Sequence, residues 1–221
     1  MRYLLGLGKK HKVKFKIQQE EEKLNAISHG LGALLATVTI LVLLLYNNHK
    51  TPYATLSIVL YSLSLIGTFT ASFFYHYVTE KDLKSKLRIV DHISIYFLIA
   101  GTYSPVTLIT LENGNGWAIF YIVWGIAFVG TIFKLFFTGK YEFLSLLLYL
   151  LMGWLIVLDF SNLRELSTPL GINLLFLGGA FYTAGIIFYA VEKIPYNHFI
   201  WHLFVLGGAI SHWLFVFLVI I

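Results

Sequence analysis

Seven long hydrophobic runs, separated by short polar stretches, dominate the sequence. They cover residues 26–46, 52–77, 89–111, 117–137, 143–160, 170–191 and 199–221. Each run approaches the roughly 20 residues that an α-helix needs to cross about 30 Å of hydrocarbon. A transmembrane β-strand would be about ten residues long and would alternate in polarity, whereas these runs are continuous. The pattern therefore predicts an all-α integral membrane protein, a bundle of seven transmembrane helices.

Composition and connection lengths support a single membrane domain. Hydrophobic residues make up 58% of the chain and charged residues 12%, against about 25% charged residues in an ordinary soluble domain. The connections between runs are short, for example residues 47–51 and 111–116, which predicts antiparallel neighbouring helices. No proline-rich or acidic linker divides the chain. We therefore expect a basic tail over residues 1–24, followed by one seven-helix domain over residues 25–221.

The basic residues are unevenly distributed between the two sides of the predicted bundle. Fourteen of the sixteen lie in the tail or in and beside the second, fourth and sixth connections, and only Lys50 and Arg164 lie on the opposite side. Because basic loops stay in the cytoplasm, we expect a cytoplasmic N-terminus and an external C-terminus, in the bacterial inner (plasma) membrane. The net charge of +5 is located where anionic lipid headgroups are the nearest partner. Membrane lipids, and not nucleic acid, are therefore the expected partners, and the sequence indicates no oligomeric state.

Rare polar side chains at the ends of these runs occur in pairs four residues apart. His198 and His202 open the seventh run, and Ser72 and His76 close the second. Residues at this spacing lie about 40° apart around a helix and about 6 Å apart along it, so each pair shares one face. Asp91 follows at the start of the third run, where an unpaired carboxylate is costly. All five residues lie at the same predicted depth, near the cytoplasmic surface.

Three imidazoles at one depth form a candidate metal site. His76, His198 and His202 together match the ligand set of a catalytic zinc ion, which keeps a fourth position for water. Because the chain has no cysteine, any metal must be bound through nitrogen and oxygen. Asn25 and His29, also four residues apart, open the first run at the same depth. These two side chains are expected beside the metal ligands.

Each polar residue also has a structural explanation. The histidine pair of the seventh run could form ordinary hydrogen bonds between helices. Asp91 could pair with Arg88, and Ser72 could donate to a carbonyl of its own helix. His212 lies about 15 Å beyond His202, too far to share an ion, so polar packing or proton relay is expected there. The joint placement of the polar residues at one depth favours the metal site.

Four short motifs lie along the chain. They are Glu21-Glu22-x-x-Asn25-x-x-Ser28-His29-Gly30, Ser72-x-x-x-His76, Asp91-His92 with Gly101-Thr102-Tyr103-Ser104-Pro105, and His198-x-x-x-His202. Together they resemble the motifs of the progestin and adipoQ receptor superfamily, most closely those of its bacterial hemolysin III branch. The resemblance covers nearly the whole chain and implies a seven-helix bundle with a cytoplasmic N-terminus. It also implies that the three histidines bind zinc, with Ser72 and Asp91 near the metal-bound water.

The resemblance also implies a range of functions. The superfamily includes alkaline ceramidases, which cleave a lipid amide with a similar set of residues. Other bacterial members resemble contributors to membrane lipid homeostasis, and the branch name derives from a haemolytic phenotype. The chain lacks the long N-terminal domain of the eukaryotic receptors, so receptor signalling is not expected.

Three hypotheses follow for the function. The leading one is a zinc-dependent hydrolase of a membrane lipid amide or ester, with Asp91 as general base and Ser72 as donor to the developing oxyanion. The second is a sensor or regulator of bilayer state with a structural zinc, which would need a fourth protein ligand such as Asp91 or His29. The third, a pore-forming cytolysin, finds little support because the polar groups gather at one end of the bundle. Iron or manganese could replace zinc, since imidazole binds several of these ions.

Overall fold

The fold is a bundle of seven long helices, in a computed structural model that describes the backbone of residues 2–221 and the side chains from Lys16 onward. The helices are α1 (Arg2–Leu45), α2 (Ala54–Tyr77), α3 (Lys81–Pro105, continued by a π turn at Val106–Thr110), α4 (Gly116–Phe137), α5 (Glu142–Gly153, then a 3₁₀ turn at Leu155–Asp159 and a short helix at Phe160–Leu166), α6 (Pro169–Ala190) and α7 (Asn197–Phe215, continued by a π turn at Val216–Ile220). All seven contain a segment long and apolar enough to cross a membrane. No strand occurs among residues 2–221, so the predicted all-helical, seven-span fold is confirmed.

The outer surface of the bundle carries many exposed, large apolar side chains. Examples on four different helices are Leu34, Phe128, Phe143, Leu158 and Leu177. Soluble monomers rarely expose contiguous apolar patches larger than a few hundred Å². These side chains therefore contact lipid, and the chain is a multi-pass membrane protein.

The helices that carry the polar motifs pack against one another. Helix α2 lies between α1 and α3, and α7 contacts both α6 and α1. Buried side chains such as Tyr61, Phe69 and Tyr96 fill the core. At Gly101 the helix α3 comes so close to α2 that an added Cβ would overlap Ser64 Oγ, which is the close approach that small residues allow in membranes. This packing brings the polar ends of α1, α2, α3 and α7 together.

Side-chain caps fix the starts of two helices. Glu80 precedes α3, and its carboxylate accepts hydrogen bonds from the backbone N–H groups of Leu83 at 2.6 Å and Asp82 at 2.8 Å. These two donors lower the pKa of the exposed Glu80 carboxyl. At α6, Thr168 Oγ1 accepts a hydrogen bond from the backbone N–H of Gly171 at 3.1 Å, and a proline occupies the first turn. Both arrangements satisfy N–H groups that would otherwise lack partners at a helix start.

Helix α3 changes its hydrogen-bond pattern after Pro105. Directly after the proline, the chain forms a π turn that ends with Leu111 N–H donating to Val106 O at 2.9 Å. Thr107 Oγ1 donates to Tyr103 O at 2.9 Å. The regular α-helical pattern therefore ends at the proline, which has no N–H to donate, and a wider turn follows it.

Helix α5 contains a break that the continuous fifth run does not predict. The Tyr103 hydroxyl of α3 donates to Gly153 O at 3.0 Å and accepts from Ile156 N–H at 2.9 Å. An inserted side chain of this kind interrupts the regular helical hydrogen bonds. The break therefore depends on a residue from another helix, and local sequence cannot indicate it.

Candidate metal centre

Three imidazoles meet at one end of the bundle. His76 lies in the last turn of α2, while His198 and His202 lie in the first turns of α7. Their ring centroids are 4.9 to 5.1 Å apart. One nitrogen from each ring lies within 4.8 Å of the other two. This group, the histidine triad, could hold one metal ion.

The hydrogen bonds around His76 leave one ring nitrogen free. Its Nδ1 lies 3.1 Å from Glu22 Oε2, and because a carboxylate only accepts, Nδ1 is the donor. Asn25 Nδ2 approaches the same nitrogen at 3.5 Å. His76 Nε2 is buried and has no hydrogen-bond partner in the described structure. In the neutral ring with Nδ1 protonated, Nε2 carries the lone pair that a metal ion requires.

Two acidic residues of α1 support the triad. Glu22 Oε2 accepts from Lys84 Nζ at 2.7 Å, so its carboxylate is held between a cation and His76. Glu21 Oε1 accepts from the backbone N–H of His198 at 3.0 Å, at the start of α7, where the helix dipole favours an anion. In metal-binding histidines, the N–H of the second ring nitrogen usually donates a hydrogen bond to a carboxylate, carbonyl or water. The Glu22 carboxylate is in position to be that partner for His76.

Three contacts of the triad come from residues of the first motif for which the sequence predicts no individual role: Glu21, Glu22 and Ser28. Ser28 Oγ lies 3.2 Å from His202 Nδ1. Ser28 therefore contacts the Nδ1 atom of His202 as Glu22 contacts the Nδ1 atom of His76. The available signal is the helical spacing. Glu22, Asn25 and His29 are three and four residues apart, which places them on one face of α1.

Asn25 and His29, expected beside the ligands, do lie against the triad. The Asn25 amide approaches His76 as described, and the His29 ring stacks on His202 with centroids 3.6 Å apart and an interplanar angle of 8°. Both nitrogens of His29 are buried without a partner among the described residues. His29 is not one of the three residues whose nitrogens converge on one point.

Ser72 and Asp91 line a cavity that also reaches His29, His198 and His202. The alternative explanations for these two residues find no support in the described part of the chain. Ser72 Oγ makes no hydrogen bond to its own helix, and Arg88 lies 3.7 Å from Glu142 and forms no ion pair with Asp91. Asp91 Oδ2 has His92 Nδ1 as its neighbour at 3.6 Å.

The triad lies between two cavities of different character. The first, which we call the apolar cavity, has a volume of about 140 Å³ and extends from the triad along the bundle between α2, α3, α5, α6 and α7. Its walls include Ile95, Leu98, Leu146, Ile186 and Val205. The second, which we call the polar cavity, has a volume of about 430 Å³ and is lined by Gln18, Glu21, Glu22, Asn25, Tyr75, His76 and His198. A metal held by the triad would therefore face an apolar chamber on one side and a hydrophilic one on the other.

Comparison with known proteins gives consistent relatives. The family described as "Haemolysin-III related" matches residues 17–213. The chain is 41% identical over 191 residues to Hemolysin-3 of Bacillus cereus, covering 86% of this chain and 87% of that protein. It is 40% identical to the Hemolysin-3 homolog of Bacillus subtilis (strain 168), covering 86% and 90%. It is also 32% identical over 162 residues to the human (Homo sapiens) monocyte to macrophage differentiation factor, covering 70% and 66%.

Proposed function

Because the chain belongs to the haemolysin-III related family, a group of multi-pass membrane proteins, we propose that it is a zinc-dependent hydrolase of a membrane lipid amide or ester. One observation carries the proposal. Three imidazoles converge at the end of an apolar cavity that also contains a carboxylate and a hydroxyl, those of Asp91 and Ser72. Such a cavity suits a lipid chain, and the polar end suits its carbonyl group.

The residues present fit a zinc ion. Three histidines with a fourth position left open form the ligand set of catalytic zinc sites, and the unpartnered Nε2 of His76 is a suitable donor atom. When bound, zinc would lower the pKa of a coordinated water to about 7 and polarise a carbonyl group. Because imidazole also suits iron and manganese, metal analysis has to identify the ion.

Asp91 and Ser72 are assigned complementary tasks. The Asp91 carboxylate, placed in the same cavity as the triad, would accept the proton from the attacking water as general base. The Ser72 hydroxyl would donate a hydrogen bond to the carbonyl oxygen as negative charge develops there. The apolar walls would hold the lipid chain and exclude bulk water, while the polar cavity would admit water to the triad.

The number of converging side chains favours catalysis over a structural metal in a sensor of bilayer state. A closed structural site uses four protein ligands. Among the described residues, the converging group contains three histidines, without Asp91 or His29. A pore is not supported either, because the apolar cavity has mostly apolar walls between the triad and its other end.

The test combines metal content with hydrolysis by protein purified in lipid nanodiscs. Wild-type protein should contain zinc and hydrolyse a member of a panel of lipid amides and esters. Asp91→Asn should retain the metal but lose most turnover, about a hundredfold or more for a general base. Asp159→Asn is the matched control and should keep activity, because Asp159 is a buried carboxylate that lines neither cavity at the triad. Zinc-loaded wild-type protein without turnover across the panel would refute the hydrolase and leave the sensor.

We also propose that the N-terminus is cytoplasmic and that residues 1–24 and the basic connections bind anionic headgroups, with a role in lipid homeostasis. The absence of cysteine allows a clean test with single introduced cysteines. In intact cells, an impermeant maleimide should label Asn48→Cys and should not label Lys140→Cys. The reverse labelling pattern would contradict the proposed orientation.

Purified protein should prefer nanodiscs that contain phosphatidylglycerol, and equal affinity for neutral nanodiscs would contradict headgroup binding.

A further inference from the structure

The end of the apolar cavity away from the triad holds polar atoms that the proposed hydrolysis does not use. Tyr182 of α6 and His212 of α7 line the cavity, and their ring centroids are 5.6 Å apart. His212 follows His202 by ten residues on the same helix, which places it about 15 Å further along. His212 also lines an adjoining cavity of about 60 Å³.

His212 presents a hydrogen-bond acceptor to this region. Its Nε2 lies 3.1 Å from the carbonyl oxygen of Leu175, and because a carbonyl only accepts, Nε2 is the donor. In apolar surroundings the neutral imidazole is favoured, so Nδ1 carries a lone pair. Within the described structure, Nδ1 is buried and has no partner. A buried acceptor without a partner is costly, which indicates that a ligand group or water satisfies it.

The Tyr182 hydroxyl, like His212 Nδ1, has an unused capacity for hydrogen bonding. It is buried and has no hydrogen-bond partner among the residues that the structure describes. The backbone makes room for both rings. An added Cβ at Gly178 of α6 would overlap the His212 ring, and one at Gly208 of α7 would lie 2.7 Å from the Tyr182 ring. Each helix therefore carries a glycine opposite the polar ring of the other helix.

We propose that His212 and Tyr182 form a second polar subsite, which binds a hydroxyl group carried on the chain of an amphiphile whose head lies at the histidine triad. A hydroxyl donates to His212 Nδ1 and accepts from the Tyr182 hydroxyl, so one group satisfies both atoms. An unsubstituted alkyl chain leaves both unpaired. The inference rests on the proposed function and narrows its substrate class to lipids with a hydroxylated chain.

The experiment compares the binding of two probes that differ by one oxygen atom. Because bonded carbons are about 1.5 Å apart, an extended zigzag chain advances by roughly 1.25 Å per carbon, so about twelve carbons cover the distance of about 15 Å between the triad and His212. The probes are dodecanoate and 12-hydroxydodecanoate, and 2-hydroxydodecanoate places the hydroxyl near the head as a probe control. Dissociation constants are measured by calorimetry with the metal-loaded protein in nanodiscs. We define the preference for a hydroxy acid as the Kd for dodecanoate divided by the Kd for that hydroxy acid.

The wild-type preference for 12-hydroxydodecanoate should exceed that of Tyr182→Phe by about five- to tenfold, the amount expected for one net hydrogen bond. His212→Phe should give the same loss. The preference for 2-hydroxydodecanoate should be equal in all proteins. Tyr96→Phe removes a buried, unpartnered hydroxyl outside the residues that line the cavity, so it is the matched control and should retain the wild-type preference.

Three results would overturn the subsite. They are an equal preference in wild type and Tyr182→Phe, the same loss in Tyr96→Phe, and no binding of either acid. His212→Phe also removes the bond to Leu175, so Tyr182→Phe decides the question if that variant does not fold. Binding is measured without turnover. A failed hydrolysis assay therefore leaves this result intact, and a failed binding preference leaves hydrolysis intact.

Discussion

Replacement of Glu22 by glutamine should weaken metal binding without touching a metal ligand. Glu22 Oε2 lies 3.1 Å from His76 Nδ1 and 2.7 Å from Lys84 Nζ, so it orients the His76 ring. Loss of such a partner typically costs about 10- to 100-fold in metal affinity. The Glu22 side chain is 41% exposed, and water therefore screens part of its charge. We expect the lower end of the range, about tenfold or about 1.4 kcal/mol.

The assay is competition for Zn²⁺ with a chelator of known affinity, using purified protein at fixed pH and salt. Glu20→Gln is the matched control, because Glu20 lies on the same helix and accepts from the Tyr196 hydroxyl at 3.0 Å without contacting a histidine of the triad. It should bind zinc as wild type does. An affinity of Glu22→Gln within twofold of wild type would refute the reasoning, as would an equal loss in Glu20→Gln.

Three further predictions concern stability, measured by thermal or denaturant unfolding in detergent. Tyr103→Phe leaves the N–H of Ile156 without its partner and should lower the free energy of unfolding by about 1–3 kcal/mol. An unchanged free energy of unfolding would show that the hydroxyl does not maintain the break in α5. Gly101→Ala should lower the free energy of unfolding by about 1–3 kcal/mol through overpacking. Gly67→Ala is the control, because nothing lies within 4 Å of an added Cβ there. Equal effects of the two substitutions would contradict the close contact of α2 and α3. Folding lowers the pKa of the Glu80 carboxyl. Its stabilising contribution is therefore complete above the pKa of the unfolded chain and disappears as the pH falls through the pKa of the folded protein. Glu80→Gln should flatten the acid side of the curve of stability against pH, and an unchanged curve would argue against this cap.

The fold and the triad could be predicted because both depend on local properties of the sequence. Run length determines whether a helix crosses a bilayer, and a spacing of four residues places His198 and His202 on one face whatever surrounds them. The antiparallel order of the helices then brings His76 to the same end of the bundle. These steps need no knowledge of side-chain packing.

The features that sequence reasoning missed depend on contacts between helices. Glu22 supports His76 only because α1 packs against α2. The spacing of α1 places Glu22 on the same face as Asn25 and His29, but it does not identify His76 as its partner. The break in α5 requires the Tyr103 hydroxyl of α3. Arg88, a possible partner of Asp91, instead contacts Glu142, and this contact also depends on how α5 meets α3. Local patterns identified the candidate ligands, but not the residues that hold them.

Metal analysis of the purified protein tests the histidine triad most directly. Wild-type protein, prepared without added metal chelators and measured by mass spectrometry, should contain about one zinc ion per chain. Variants His76→Ala, His198→Ala and His202→Ala should each lose most of it, while His212→Phe, changed about 15 Å away, should keep it. Folded wild-type protein that binds no transition metal, or a stoichiometric ion retained in all three triad variants, would contradict a metal centre at these residues.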